Sequence, residues 1–519
     1  MKQRSIEMMT QNILPFQYLN GKNDIDLTSF AGLPLYMEMA IISGLNKAIA
    51  KELQSKSRGW SDLQILISLI LLNIAGGGCV DDIERLEADE GLSILLLRLE
   101  TRGMKRKERR VYERRWRKQK TRAFPSAASI YRYLEQFHNE SEEGLREKGK
   151  AFIPLPNELL QSLLKINSTL IDYGQQHHCC ETATLDQDAT LSATHKKTAY
   201  YCYEKYKAYQ PFNTYWSEQG LLLHSEFRDG NVFAGFEQLR VLQESLAQLP
   251  KGVNKVLLRS DSAGYQEDLL RYCAEGKHER FGIIEFGVAV KVTPAFKQAV
   301  AQIAPTAWQS IYKEEDGQKI KTEQEWAEVC FVPTWVGLSK KTPNYRFIAI
   351  REAMSAQPEL EGFESIQQEL PFQTIQFDQM QYKLFGMVTN RTLSGNELIN
   401  WHRKRCGDSE KVHSIEKGDL AGGQFPSNKF GANAAWWQVM VLAFNLNRLM
   451  QLLVLPDQLK YKRLKGLRFY VIGIAGRVIQ HARGLFIKLS GGQKVADLFY
   501  QIRQNIFKLA NAPPLLVPA

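Results

Sequence analysis

Thr184-Leu185-Asp186-Gln187-Asp188-Ala189-Thr190-Leu191 has the composition of a β-strand interrupted by two acids. The centre of a buried sheet does not hold unpaired carboxylates, because taking an unpaired charge out of water is costly. An Asp here therefore stands either at a solvated strand end or opposite a cation. For a carboxylate facing a cleft, the cation best matched to its hard oxygen is a divalent metal. Strand alternation turns Asp186 and Asp188 to the same face, so both are eligible.

Two further acids downstream occupy comparable positions. Asp261 ends Lys255-Val256-Leu257-Leu258-Arg259-Ser260-Asp261, where an apolar strand gives way to the turn Ser262-Ala263-Gly264. Its side chain is expected at the carboxyl edge of a sheet, where ligands gather; a helix cap is the alternative role. Glu410 lies in Trp401–Leu420, a stretch of helical composition. There Arg403, Glu410 and Lys417 recur every seven residues and share one face. A salt-bridged exposed face explains that spacing equally well.

The chain has 519 residues, 44% of them hydrophobic, enough for one large core and two or three attached modules. Its formal charge of +11 is concentrated: residues 102–122 hold 12 Lys or Arg against two Glu. Such a run suits phosphate neutralisation, as a contact surface or as a solvated linker. Seven cysteines at scattered spacing point to a reducing compartment. Contiguous His177-His178-Cys179-Cys180 is read as structural, since adjacent side chains do not converge on one tetrahedral ion. Lys2, Arg4 and Glu7 argue against a secretory leader. The apolar runs Leu63–Val80 and Ala434–Leu455 are interrupted by Gly or polar residues and are read as buried helices. The expectation is a soluble cytoplasmic protein with no membrane partner.

Along the chain, Leu33–Leu53, Asp62–Ala75 and Val80–Leu99 predict a helical start. Pro125-Ser126 caps a short helix over Ala127–Phe137, with Ile130, Leu134 and Phe137 on one side. It serves either as the second helix of a helix-turn-helix, with Arg132 toward DNA, or as plain packing. Strands are expected at Thr182–Leu191, Gly220–Phe227, Lys255–Arg259 and Phe281–Lys291, with helices between the last three, giving a mixed sheet flanked by helices. Residues 292–384 have a β-rich character, Phe385–Thr389 returns as a strand, and the tail from Asn433 reads as helical and basic.

Three stretches together resemble the DDE transposases of bacterial insertion sequences. They are Leu185–Leu191 (LDQDATL), Arg259–Gly264 (RSDSAG) and Trp401–Leu420 (WHRKRCGDSEKVHSIEKGDL). The resemblance covers roughly residues 180–490, and the 149-residue gap from Asp261 to Glu410 matches the members whose core is split by a β-rich insertion. The final motif of that group runs Y-x2-R-x3-E-x6-K. Glu410 and Lys417 satisfy its second half, while Arg403 and Cys406 stand at the Tyr and Arg places. His402 and Arg405 take those roles if one residue is inserted. Glu416 is the rival acid, but position 423 is Gly rather than Lys.

The resemblance implies an α/β ribonuclease-H-like mixed sheet with a β-rich insertion, after a helical DNA-binding domain and before a helical C-terminal region. The corresponding spans are 1–150, 160–291 with 385–450 for the core, 292–384 for the insertion and 451–519 for the tail. It implies Asp188, favoured over Asp186, with Asp261 and Glu410 as catalytic ligands of two Mg²⁺ ions, Mn²⁺ being able to substitute. Arg403, Arg405, Lys417, Arg106, Arg110, Arg114 and Arg132 would contact DNA. The implied activity is binding of terminal inverted repeats, hydrolytic cleavage and joining of 3′-hydroxyls to target DNA, by a homodimer associated with the bacterial nucleoid. The alternatives are a ribonuclease-H-like nuclease without strand transfer and a catalytically inactive DNA-binding relative.

Overall fold

The computed structural model describes residues 26–55, 59–101, 104–111, 122–315, 317–333, 335, 345–354, 372–377, 380–481 and 484–515. Its centre is the helix Phe430–Leu449, whose residues are buried all round except Arg448. A helix apolar on every face must be enclosed. It packs against the helices Asp62–Ala75 and Glu158–His177 and against one edge of the main sheet. Both apolar runs of the sequence are thus interior helices. Among the described residues no single helix is long and apolar enough to cross a membrane, although Asp62–Ala75 with Val80–Glu87, bent by 93°, passes that test as a pair.

Among the described residues, the regular elements of the amino-terminal part are helical apart from β1 (Leu27–Thr28). The expected helix Leu33–Leu53 is two, Leu33–Ile42 and Leu45–Glu52, broken at Gly44, whose φ of 79° is a left-handed value that glycine adopts without strain. Ser126 caps the helix Ala127–Leu134 through the Ser129 amide, and Ile130, Leu134 and Phe137 are buried.

The main sheet begins with β2 (Thr182–Ala189). After the short pair β3 (Ser192–Ala193) and β4 (Ala208–Tyr209) come β5 (Phe212–Trp216), β6 (Leu221–Glu226), β7 (Lys255–Ser260) and β8 (Glu285–Ala289). β2 pairs antiparallel with β5 and parallel with β7, and β7 pairs parallel with β8. The insertion supplies β9 (Gln309–Glu315), β10 (Gln318–Val329), β11 (Arg346–Ala353) and β12 (Thr374–Phe377), followed by β13 (Met380–Thr389). These strands extend the same sheet, in the order β6-β5-β2-β7-β8-β13-β11-β10-β9. β13 makes the junction: its last three residues bond to β8, while its length from Tyr382 to Thr389 bonds to β11.

The tail departs from its helical reading. Gly476–His481 (β14) and Gly484–Leu489 (β15) form a hairpin, and β1 adds to β14. β-branched and aromatic residues in Arg477-Val478-Ile479 and Leu485-Phe486-Ile487 favour strand over helix. Beyond it, Gly492–Asn511 is a long helix.

Candidate functional site

Parallel pairing of β2 with β7 ends with Gln187 against Ser260, and the next residues, Asp188 on β2 and Asp261 in the turn after β7, are near enough for their charges to interact. Adjacent strands lie about 4.8 Å apart, and both acids emerge at the carboxyl edge. Asp261 also caps the turn after it, its Oδ1 accepting from the Ala263 amide at 2.9 Å. Burial raises the Asp261 carboxyl above its ordinary range, and the nearby charge of Asp188 raises it further.

Asp186 lies deeper on the same face, and both its oxygens are engaged. Oδ1 accepts from Arg259 Nε at 2.5 Å and Oδ2 from Arg259 Nη2 at 2.6 Å, with Asp186 and Arg259 directly opposite in register. Arg259 also donates to the Trp401 carbonyl at 2.8 Å, which ties the strand pair to the helix above. Burial pushes the Asp186 carboxyl up to about 6, against the opposing pull of Arg259. The Asp188 side chain is 22% exposed, and its Oδ2 accepts from Arg405 Nη1 at 3.0 Å. Burial raises its carboxyl, with Arg405 and the Ser409 hydroxyl opposing the rise.

The helix over this edge is Gly395–Ser414, started by a capping box between Ser394 and Glu397 and continued by a π-helical turn, Ile415–Asp419. Its inward stripe is polar. His402 Nε2 donates to the Ser260 carbonyl at 3.0 Å, and desolvation holds that imidazole neutral by pushing its pKa down to about 4. Arg405, Ser409, Val412 and Glu416 follow on the same face and are buried. Glu416 Oε1 accepts from Asn213 Nδ2 at 2.8 Å, and Asn213 is the residue opposite Asp188 on β5. Glu416 Oε2 is buried with no hydrogen-bond partner among the described residues. Burial pushes this carboxyl up to about 8, with Asp188 adding to the push. Behind Asn213, Ser225 Oγ donates to its Oδ1 at 2.6 Å, and Trp437 Nε1 donates to Ser225 Oγ at 2.7 Å.

The expected triad is thus assembled in part. Asp188 and Asp261 come together, and Arg405 joins them. Glu410 is exposed, one residue past Ser409 and therefore turned about 100° off the inward stripe. Glu416, weighed in sequence as the rival acid, faces inward. Asn213 and Ser409 were not anticipated. Positions 402, 405, 409, 412 and 416 share a helical spacing, but all save Val412 are polar, so no apolar period in the sequence marks Ser409.

The basic residues fall in different places. Lys417 Nζ donates to the Leu191 carbonyl at 3.2 Å, two residues beyond the first acidic strand. Arg403 donates to Gln324 Oε1 on β10, on the insertion side. Arg132 is exposed and bonds within its own helix to the Ala128 carbonyl at 3.2 Å. Arg106 and Arg110 are exposed in the helical turns 106–111, while Arg114 and most of the basic run lie outside the described residues.

The donor set suits a hard divalent cation: two carboxylates with raised pKa values would be relieved by positive charge. Arg405 supplies that charge to Asp188 in this arrangement. Among the described residues, no three His, Cys, Asp or Glu side chains are gathered closely enough to hold a metal.

Comparison with known proteins adds three findings. A family model described as transposase DDE domain group 1 matches residues 20–511. Among solved structures, the cryo-EM structure of a piggyBac transposase synaptic complex with hairpin DNA is similar at a TM-score of 0.41. It has 9% sequence identity, over 94% of this chain and 83% of that one. No curated protein matches the chain.

Proposed function

The chain belongs to the DDE transposase family, whose model spans nearly all of it, and from that premise we propose an enzyme that binds terminal inverted repeats, cleaves the DNA ends and joins the 3′-hydroxyls to target DNA. Its core is ribonuclease-H-like: the antiparallel run β6-β5-β2 continued by parallel β7 and β8 supports this reading. The observation that supports the chemistry is the β2–β7 register, whose last pair, Gln187 with Ser260, stands one residue before Asp188 and Asp261 respectively.

Asp188 and Asp261 are proposed as metal-holding acids, with Glu410 of the E-x6-K pattern as the third. Two Mg²⁺ ions, or Mn²⁺ in their place, would supply Lewis-acid stabilisation to the attacking and leaving oxygens. Asp186 stays outside the donor set because Arg259 engages both its oxygens. Arg405 pairs with Asp188 at 3.0 Å and would be free to meet a DNA phosphate if that carboxylate held a cation. His402, neutral and bonded to the Ser260 carbonyl, fixes the helix over the edge without competing as a charge. Double-stranded DNA is the proposed partner, gripped by Lys417 and the basic segment 102–122 and aligned by a homodimer.

The test is strand transfer with oligonucleotides carrying the inverted repeats that flank the gene. Mg²⁺ should yield joined product with the wild type and none with Asp188→Asn, Asp261→Asn or Glu410→Gln, while DNA binding persists in all three. Cleavage without joining would favour the nuclease. The outward-facing Glu410 gives a second reading its support, that of an inactive DNA-binding relative. That reading requires wild type and Asp188→Asn to be indistinguishable in every assay of activity.

A further inference from the structure

Between β2 and β5 the chain makes an excursion, residues 190–211, that leaves the sheet edge directly after Asp188. Its base is held on several sides. β3 pairs with β4, Ser192 Oγ donates to the Gly422 carbonyl at 2.9 Å, and the Lys197 amide donates to Asn428 Oδ1 at 3.1 Å. Tyr200 Oη donates to the Arg146 carbonyl at 3.1 Å, Arg146 Nη2 donates to the Thr198 carbonyl at 2.9 Å, and that guanidinium lies 5.0 Å from the Tyr200 ring centre. Gly230 lets the excursion close down on the fold: a Cβ there would sit 2.6 Å from the Ala208 carbonyl oxygen.

The tip is equally defined. Tyr201 bridges to Lys207, the Cys202 amide donates to the Tyr206 carbonyl at 2.9 Å, and the Lys205 amide donates to the Cys202 carbonyl at 3.0 Å. Lys205 has a φ of 66°, a left-handed conformation uncommon for a residue with a side chain and retained only where surrounding structure fixes it. On this rigid turn Tyr201 is 56% and Tyr203 74% exposed. Lys197 and Lys205 are exposed around them. Both ends of the excursion are held at the acidic edge, where Ala189 pairs with Phe212 and the Thr190 amide donates to the Pro211 carbonyl at 3.0 Å; burial raises the Tyr203 phenol, the adjacent Glu204 carboxylate raises it further, and Asp261 adds to the rise. Isolated exposed aromatics need no explanation, but rings held on a fixed turn with Lys197, Lys205 and Glu204 exposed on the same excursion, rooted at the edge that carries Asp188, match the chemistry of base stacking.

We propose that this turn is a stacking platform for an unpaired base of the DNA strand whose phosphate lies against Asp188 and Asp261, with Tyr203 as the principal ring. It rests on the transposase reading above and adds a specific contact to it. A ring reaches the face of a base only where the helical stack is open, so the contact belongs to a frayed or displaced nucleotide at the cut. Tyr203 is a positioning residue: it sets the strand, while the acids face the phosphate.

The full-length protein is tested in EDTA, which blocks cleavage, against a blunt duplex and the same duplex carrying a short 3′ overhang that contains 2-aminopurine. The wild type should bind the overhang more tightly and quench its fluorescence. Tyr203→Ala should lose about tenfold or more of overhang affinity together with the quench, as expected for one stacked base. It should keep blunt-duplex affinity and the wild-type melting temperature, and Tyr203→Trp should restore the quench. Wild-type preference that survives unchanged in Tyr203→Ala overturns the platform and leaves the transposase reading standing. A Tyr203→Ala protein altered only in self-association assigns the turn to a second copy of the chain and also overturns it. Wild type that binds neither duplex overturns both readings.

Discussion

Replacing Asp186 with Ala should cost stability, whereas replacing Asp188 with Asn should cost chemistry. The Asp186 side chain is 0% exposed and that of Arg259 is 2% exposed, and the two share hydrogen bonds of 2.5 and 2.6 Å. Deleting the acid leaves a buried guanidinium with the Trp401 carbonyl at 2.8 Å, Ser217 Oγ at 3.2 Å and Asp408 at 3.7 Å. Breaking a buried pair from one side typically costs about 3–5 kcal/mol, and these residual partners place the expected loss near the lower figure, about 3 kcal/mol. That is a large part of the roughly 5–15 kcal/mol that holds a domain folded. Asp188, partly exposed and joined to Arg405 by one contact, should cost about 1 kcal/mol or less on conversion to Asn.

Urea unfolding followed by tryptophan fluorescence reads both variants, since Trp216, Trp436 and Trp437 are fully buried. The midpoint should fall clearly for Asp186→Ala and stay close to wild type for Asp188→Asn. The double change Asp186→Leu with Arg259→Met should recover much of the loss, because apolar side chains of similar volume replace a buried ion pair at little cost. If Asp186→Ala unfolds like wild type yet abolishes cleavage, the assignment of structural and reactive acids is reversed.

Three further outcomes follow from the same geometry. Glu416, with its pKa raised to about 8 from 4.5, is protonated in the folded state at neutral pH and ionised when unfolded. Its contribution is fully present below about pH 4.5 and lost as pH rises through 8, at up to about 1.4 kcal/mol per pH unit between. Unfolding midpoints across that window should show the slope in the wild type and lose it in Glu416→Gln. Arg405→Met removes the cation paired with Asp188. Terbium luminescence at pH 8 should then report divalent-site affinity raised about fivefold, from a charge interaction of roughly 1 kcal/mol. Unchanged affinity would mean that Arg405 does not compete for the site. Gly422→Ala places a Cβ 2.7 Å from the Glu416 carbonyl oxygen and 2.9 Å from the Trp437 ring, so calorimetry should record a loss of about 1–3 kcal/mol.

Strands and helices with one apolar face were legible because burial writes its period into the chain. β2, β6 and β7 fall where their apolar residues predict, and the central helix Phe430–Leu449 announces itself by length and composition. β5, Phe212–Trp216, is not marked in the sequence: Asn213 and Thr214 are buried polar residues on the strand beside the β6 edge, so neither alternation nor an apolar run shows it. The hairpin Gly476–Leu489 was hidden differently, its strands carrying apolar residues that stay exposed, such as Ile479 and Phe486, within a basic tail.

The helix Gly395–Ser414 presents the sharpest case. Its inward stripe of His402, Arg405 and Ser409 is as polar as its outward face, so hydrophobic periodicity gives no phase, and Gly407 removes one more anchor. Seven-residue spacing then groups Glu410 with Arg403 and Lys417, whereas hydrogen bonding to Ser260 and Asp188 selects the stripe one residue earlier. A polar face pressed against a sheet edge is costly unless each group finds a partner. Here His402 has the Ser260 carbonyl and Arg405 has Asp188, while Glu416 keeps one oxygen unmatched. Where a buried helix face lacks apolar period, local rules have yielded to function, and that silence in the pattern is itself the mark of the site.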